Sequence, residues 1–283
     1  LKAAAKNINI GGLKLKVCVS GLGRVGLPTA LYVKDKGFEV WGYDINETAI
    51  QKANDAGIRA TGNWRDIPFV NIYVVCVYTG LKNSNPDMSQ VYDVCSKIRE
   101  KKKPTFVSVE STVYPGTCRK IYNEIFGKEI SLVHVPHRYW ISDPVHHGVQ
   151  QTRVIGAINE ASLSAGLDFY GKNLKIPLHA VSSIEISELC KLVENAYRYV
   201  QIAYAEELNM ICEGLGLNFN EVRAAANTKW NTEILEARTG IIGSCLPKDI
   251  RFLLSGSKLS ELLKGAIEAD QSYQAWLARR DGN

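Results

Sequence analysis

KVCVSGLGRVGLPTA, residues 16–30, is the stretch that decides the fold. Residues 16–20 are mostly apolar and strand-like, and they run into three glycines spaced G-x-G-x-x-G at Gly21, Gly23 and Gly26. A helical pattern follows at once, from Leu27 and Pro28. In a strand–turn–helix of this kind the first glycine permits the tight turn and the second lets the backbone approach a pyrophosphate. The third lets helix and strand pack closely. Arg24 and Val25 lie inside the motif and join the glycines as expected cofactor contacts. Asp44 ends the next strand, where a carboxylate accepts hydrogen bonds from a ribose hydroxyl and repels a 2′-phosphate. The stretch therefore reads as a dinucleotide site that takes NAD in preference to NADP.

Outward from the motif, short β-rich runs alternate with amphipathic stretches from Lys16 to Ser182, the pattern of a doubly wound parallel sheet with crossover helices. The runs are 16–20, 38–43, 71–77, 105–110, 131–135, 152–157 and 178–182, and helical patterns fit 27–36, 47–56, 89–102, 117–126 and 161–170. After Ser182 the pattern is helical alone. Ser182 and Glu185 have the spacing of a capping box, and no Pro or Gly interrupts the residues that follow until Gly214. One long helix over 183–213 is expected, and a second starting at Asn218 and Glu221. The fold class is α/β: a Rossmann-like NAD-binding domain over 1–182, then an all-α domain over 183–283. A helix of that length must bury more than one face, which points to a homodimer formed through it.

Composition removes several function classes. Of the 283 residues 46% are hydrophobic and 22% charged, with a net charge of +5. That surplus is too small and too scattered for a nucleic-acid binder, and the one basic run, Lys101 to Lys103, reads as a solvated helix end. The longest apolar run, Ile72 to Tyr78, is far short of the roughly 20 residues that span a bilayer. Residues 1–13 have no continuous apolar core of a secretory signal, so a cytoplasmic location is expected. The seven cysteines are odd in number and never spaced C-x-x-C. No metal site is expected, and most thiols should be core packing.

Chemistry-bearing residues fall at three places. Tyr78-Thr79 and Glu110-Ser111-Thr112 end predicted strands, the edge of an open α/β sheet where ligands bind. Thr79 and Thr112 can each donate to a cofactor or a substrate hydroxyl, or form a turn. On the long helix, Lys191 and Asn195 are four residues apart and share a face, where a charged and a neutral donor can hold a developing oxyanion. Residues 239–249, TGIIGSCLPKD, are expected to form a Gly-bracketed loop presenting the thiol of Cys245 beside Lys248 and Asp249. A nearby cation increases the thiolate fraction of a cysteine and so its nucleophilicity.

The order GLGRVGLPTA, YDIN, VESTVYPGT, SELCKLVENAYR, AANT and GSCLPKD resembles the UDP-glucose/GDP-mannose dehydrogenase family, and within it the UDP-N-acetylmannosamine members, from about residue 15 to about residue 275. The resemblance implies a nucleotide-sugar 6-dehydrogenase of polysaccharide biosynthesis, which oxidises the C6 alcohol of a UDP-hexose to a carboxylate with two NAD and one water. By that resemblance Cys245 captures the aldehyde and later holds the thioester, Lys191 and Asn195 stabilise oxyanions, and Asp249 positions or deprotonates a water. Thr112 helps hold that water or the nicotinamide, and Lys248 contacts the cofactor.

Two departures are visible. His137, in Val135-Pro136-His137-Arg138, stands where the family carries a glutamate that assists hydrolysis, and an imidazole replaces that base only in part. The family's C-terminal nucleotide-sugar-binding domain is expected to be absent, since the chain given stops at Asn283. Two alternatives stay open: a two-domain β-hydroxyacid-type dehydrogenase of a smaller alcohol, which has no need of Cys245, and a non-catalytic NAD-binding relative or subunit.

Overall fold

A run that is apolar almost throughout can be covered on both faces, and such runs lie at the centre of the sheet. The computed structural model describes residues 9–10, 13–101, 106–257 and 259–281; of the basic run, Lys102 and Lys103 lie outside the described residues, as does Thr105 of the strand expected from there. The main sheet has eight strands: β1 (Lys16–Ser20), β2 (Glu39–Tyr43), β3 (Arg59–Thr61), β4 (Ile72–Val75), β5 (Phe106–Val109), β6 (Ser131–His134), β7 (Arg153–Ala157) and β8 (Leu178–Ala180), in the order β8-β7-β6-β5-β4-β1-β2-β3. All four residues of both β4 and β5 are buried. This is the doubly wound arrangement expected, and its order turns back between β1 and β4.

Two features of the sheet depart from the sequence reading. β7 runs antiparallel to β6, with Val133 opposite Ala157. An antiparallel neighbour needs no crossover helix, and residues 135–152 between the two strands contain none. The extra edge strand β3 is three half-exposed or exposed residues beginning with Arg59, too short and too polar to show as an apolar run.

The helices of this part are α1 (Gly26–Asp35), α2 (Glu47–Asp55), α3 (Ser89–Glu100), α4 (Thr117–Lys120) and α5 (Glu160–Gly166), the last two continuing as wider turns to Ile125 and Asn173. Asn46 caps α2 by accepting from the Ala49 amide at 3.1 Å. The core joins Val17, Val19, Val33, Val74 and Ile155, and Phe169 meets Phe38 and Phe106 edge-on at 5.6 and 5.8 Å.

Residue contacts divide the chain into two units, Leu1–Gly80 with Asp87–Cys190, and Leu81–Pro86 with Lys191–Asn283. The long helix is present as α6 (Ile184–Gly214), followed by α7 (Phe219–Ala226), α8 (Cys245–Ser255) and α9 (Glu261–Asp281). The cap of α6 is one residue later than the sequence spacing indicates: Ser183 Oγ accepts from the Ile186 amide at 3.4 Å. Glu185 is drawn instead into a two-pronged pair with Arg119, through Nε and through Nη2 at 3.2 Å. Asn218 caps α7 as expected, accepting from the Glu221 amide at 3.2 Å. The second unit is held together by Ala196, Tyr199 and Ala203 of α6 against Ile241, Ile250 of α8 and Ala266 of α9. Among the described residues no helix is long and apolar enough to cross a membrane.

Candidate active site

The glycine loop has the geometry its spacing implies. Gly21 sits at φ +89°, and a Cβ there would lie 2.5 Å from the Cys76 carbonyl oxygen. A Cβ at Gly26 would lie 1.7 Å from the Gly21 carbonyl oxygen, so α1 approaches the loop as only glycine permits. At Gly23 nothing stands within 4 Å, and Gly23 and Arg24 are exposed. The space a pyrophosphate needs against the second glycine is therefore open, and no side chain caps the start of α1 at Val25. Asp44 holds this loop: its Oδ2 accepts from the Leu22 amide at 2.6 Å and its Oδ1 from the Asn46 amide at 2.8 Å. The open second glycine and the uncapped start of α1 fit a dinucleotide's pyrophosphate, and Asp44, expected from the sequence as a ribose partner, has a structural task in holding the loop.

At the neighbouring strand ends, Thr79 Oγ1 donates to the Thr112 carbonyl at 2.6 Å, and Ser111 Oγ donates to the Val77 carbonyl at 2.8 Å. These bonds fasten the loops after β4 and β5 together. Thr79 is buried, whereas Thr112 is half-buried.

Behind them lies a buried polar cluster. Glu110 is fully buried; its Oε1 accepts from Arg153 Nη1 at 3.1 Å and from the Tyr170 hydroxyl at 2.5 Å. Its Oε2 is bonded to His137 Nε2, which also lies 2.9 Å from Thr29 Oγ1. Burial alone would raise the Glu110 pKa, but the charges on His137 and Arg153, with the His137 and Tyr170 hydrogen bonds, outweigh it and hold the carboxyl well below the usual range. The structure thus places His137 beneath α1, bonded to Glu110 and beside Thr29. Glu110 was read only as part of the strand-end triplet with Ser111 and Thr112, Arg153 and Tyr170 were not singled out from sequence, and for Arg153 no local signal exists, because an arginine opening a strand normally reads as an exposed end. Cys76 Sγ is 3.4 Å from Glu110 Oε2, so a sulfur, an oxygen and a nitrogen donor meet here. Glu110's oxygens are already taken by Arg153, Tyr170 and His137, and the set reads as a charge cluster.

In the second unit the structure brings four of the expected residues together. Lys191 Nζ donates to Asn195 Oδ1 at 3.3 Å, the Asn195 amide donates to Asp249 Oδ2, and Lys248 Nζ lies 2.6 Å from Asp249 Oδ1. Asp249 is buried. Lys248 also sits over the Phe252 ring, 4.3 Å from its centre, so its charge is committed within this unit. Cys245 is exposed and is the first residue of α8, not part of a loop. Pro247 is tolerated there because first-turn amides have no partner inside a helix. Cys245 and Asp249 are four residues apart on one helix and so share a face. All seven thiols are free.

Two family models match this chain, the NAD binding domain of the UDP-glucose/GDP-mannose dehydrogenase family over residues 57–173 and the central domain of the same family over residues 185–271. The chain belongs to this family. It is 28% identical over 292 residues to a UDP-N-acetyl-D-mannosamine dehydrogenase of Methanocaldococcus jannaschii, spanning 95% of this chain and 68% of that one. A second such dehydrogenase, from Pyrococcus horikoshii, is 28% identical over 86% of this chain and 65% of its own length. The chain thus covers about two thirds of these relatives. The solved structure of the UDP-D-ManNAc dehydrogenase from Pyrococcus horikoshii superposes with a TM-score of 0.86 at 27% identity, over 93% of this chain and 70% of that one. A 3-hydroxyisobutyrate dehydrogenase of Mycobacterium tuberculosis shares the fold alone, with a TM-score of 0.72 at 14% identity over 94% of each chain.

Proposed function

We propose that this chain is an NAD-dependent nucleotide-sugar 6-dehydrogenase that takes the C6 alcohol of a UDP-hexose, of the N-acetylmannosamine kind that its relatives' names carry, to the carboxylate. The observation that supports this most is the chain of contacts Lys191, Asn195, Asp249 and Lys248 one helical turn from the exposed thiol of Cys245. Gly21, Gly23, Arg24, Val25, Gly26 and Asp44 hold NAD, with Thr79 and Thr112 fastening the adjoining loops. Held there, NAD would supply the hydride acceptor for each of two oxidations.

The protein's own residues do the rest. Lys191 and Asn195 donate to the substrate oxygen as its hydroxyl proton leaves to the medium, and loss of a hydride from the carbon of that alkoxide gives the aldehyde. The Cys245 thiol loses its proton to the medium and adds to the aldehyde carbon, and loss of a hydride from the resulting thiohemiacetal alkoxide leaves a thioester. Water then attacks the thioester carbonyl, releasing the carboxylate and the thiol. Asp249, oriented by Asn195 and Lys248, positions that water. His137 is committed to Glu110 and Thr29, so hydrolysis proceeds without the acid that relatives carry at this place and is the slow step.

We also propose a homodimer through α6. Ile186, Leu189, Val193, Tyr197, Tyr204 and Ile211 are exposed and recur at intervals of three, four or seven residues, an apolar stripe along one side of the helix. Sedimentation equilibrium tests it, with Val193→Lys and Tyr197→Lys together giving monomer.

The burial of His137 favours a second reading, a non-catalytic NAD-binding relative. The test is NADH formed per sugar at stoichiometric chain, with NAD and a panel of UDP- and GDP-hexoses. Two NADH per sugar, lost in Cys245→Ala, supports the dehydrogenase. No NADH with any donor, while NAD binds, supports the second reading.

A further inference from the structure

Along α6 the buried seam runs Leu192, Ala196, Tyr199, Ala203 and Glu206, and the last is a carboxylic acid in a place the spacing reserves for an apolar side chain. Glu206 is fully buried, and neither of its oxygens meets a hydrogen-bond donor among the described residues. What it faces is the side chain of Asp270 on α9. Asp270 is itself buried and crowded with donors: Oδ2 accepts from the Tyr199 hydroxyl at 2.8 Å, and Oδ1 accepts from the Ile241 amide at 2.8 Å and from Gln274 at 2.9 Å. Two ionised carboxylates are acceptors only, so their contact becomes a hydrogen bond only when one of them carries a proton. Asp270's oxygens already have three donors and Glu206's have none among the described residues, so a proton between them is carried by Glu206.

We propose that Glu206 and Asp270 share one proton, carried by Glu206, and that this pair positions the segment leading to Cys245. The segment is tied down at Ile241, four residues before the thiol, by the hydrogen bond its amide donates to Asp270 and by burial of its side chain against Tyr199 and Ala203. The groups that face the pair are few. From α6 come Tyr199 and Glu206 itself, and from α9 Asp270 with the neutral Gln274. Arg251 of α8 acts on Tyr199, and Asp270 supplies the charge that acts on Glu206. Burial first, then Asp270, push the Glu206 carboxyl up to about 8 from 4.5. The folded-state value is raised, so what the proton contributes is complete below 4.5 and is lost as pH rises through 8. Loss of the proton sets two charges against each other in a dry seam, and relief comes by parting α6 from α9 so that water reaches both carboxylates, an opening that also exposes the Ile241 amide held on Asp270.

The importance of the segment for chemistry rests on the role proposed for Cys245, but the experiment reads no activity. Carboxyl-carbon NMR of the whole chain, labelled at glutamate, follows the Glu206 titration. Hydrogen exchange at the Ile241 amide, corrected for its intrinsic pH dependence, follows the segment. The expected result is a carboxyl titrating near 8, with Ile241 protection falling by about tenfold per pH unit between 5 and 8. In Glu206→Gln, whose amide donates permanently, protection is retained and no longer depends on pH. A Glu206 carbon titrating near 4.5, or Ile241 protection that is flat in the wild type or falls equally in the variant, overturns the proposal. If the variant does not fold, the wild-type titration decides alone.

Discussion

Replacing Arg153 by methionine tests the claim that the sheet edge behind the glycine loop is held by a buried charge cluster. Arg153 is 1% exposed, with Nη1 at 3.1 Å from Glu110 Oε1 and Nη2 donating to the Val149 carbonyl at 2.8 Å. Methionine fills most of the volume, so the loss is chiefly electrostatic. Removing one member of a buried ion pair costs about 3–5 kcal/mol, because the other charge is left uncompensated. The Val149 carbonyl loses its donor as well, which costs about 1–3 kcal/mol when the group stays dry. His137 and Tyr170 still hold Glu110, so the sum falls toward the lower end, about 4 kcal/mol. Against a total stability of about 5–15 kcal/mol, that loss is a large lowering of the urea midpoint at pH 7, read by far-ultraviolet circular dichroism. Glu110→Gln removes the charge that Arg153 balances, so the double variant should lose less than the sum of the singles, by about 2 kcal/mol. A single variant within about 1 kcal/mol of the wild type, or strict additivity, refutes the charge-cluster account.

Three further outcomes follow from the same geometry. Gly26→Ala puts a methyl 1.7 Å from the Gly21 carbonyl oxygen; NAD affinity measured by calorimetry should be lost, and an alanine variant that binds as the wild type contradicts the loop's role. Glu188 is fully buried and accepts from the Gly116 and Cys118 amides at 2.6 and 2.7 Å, so Glu188→Ala, which strands both amides at the start of α4, should cost about 2–4 kcal/mol in urea unfolding. Because Glu110 is held well below its ordinary 4.5 when folded, its contribution is present above 4.5 and drains away as pH falls; the stability gap between wild type and Glu110→Gln should narrow from pH 5 to pH 3.

The sequence was legible where local chemistry and tertiary structure ask for the same residue. Gly21 and Gly26 must be glycine for steric reasons that depend on a few neighbouring atoms, and Asn218 caps α7 through a bond three residues long. Apolar runs such as residues 72–75 mark the buried middle of the sheet whatever surrounds them. Legibility ended where a partner comes from far along the chain. Arg153 is buried because Glu110 lies 43 residues away in sequence, and nothing near Arg153 announces it. The cap of α6 falls at Ser183, and Glu185, the acid of the expected capping box, pairs with Arg119, 66 residues away in sequence. Glu206 did carry a signal, a carboxyl at a seam position of α6, but only periodicity traced residue by residue exposes it. Lys191, Asn195, Cys245 and Asp249 were legible as candidates through the family's motifs; their roles in chemistry rest on measurement.

In the proposed reaction Cys245 takes the oxidised sugar carbon covalently. The direct measurement is peptide mass after acid quenching of stoichiometric chain mixed with NAD and UDP-N-acetylmannosamine. With hydrolysis slow, the account predicts an acyl adduct on the Cys245 peptide that needs NAD to form and is removed by hydroxylamine. NADH formed with no adduct at Cys245, and formed equally by Cys245→Ala, would contradict it.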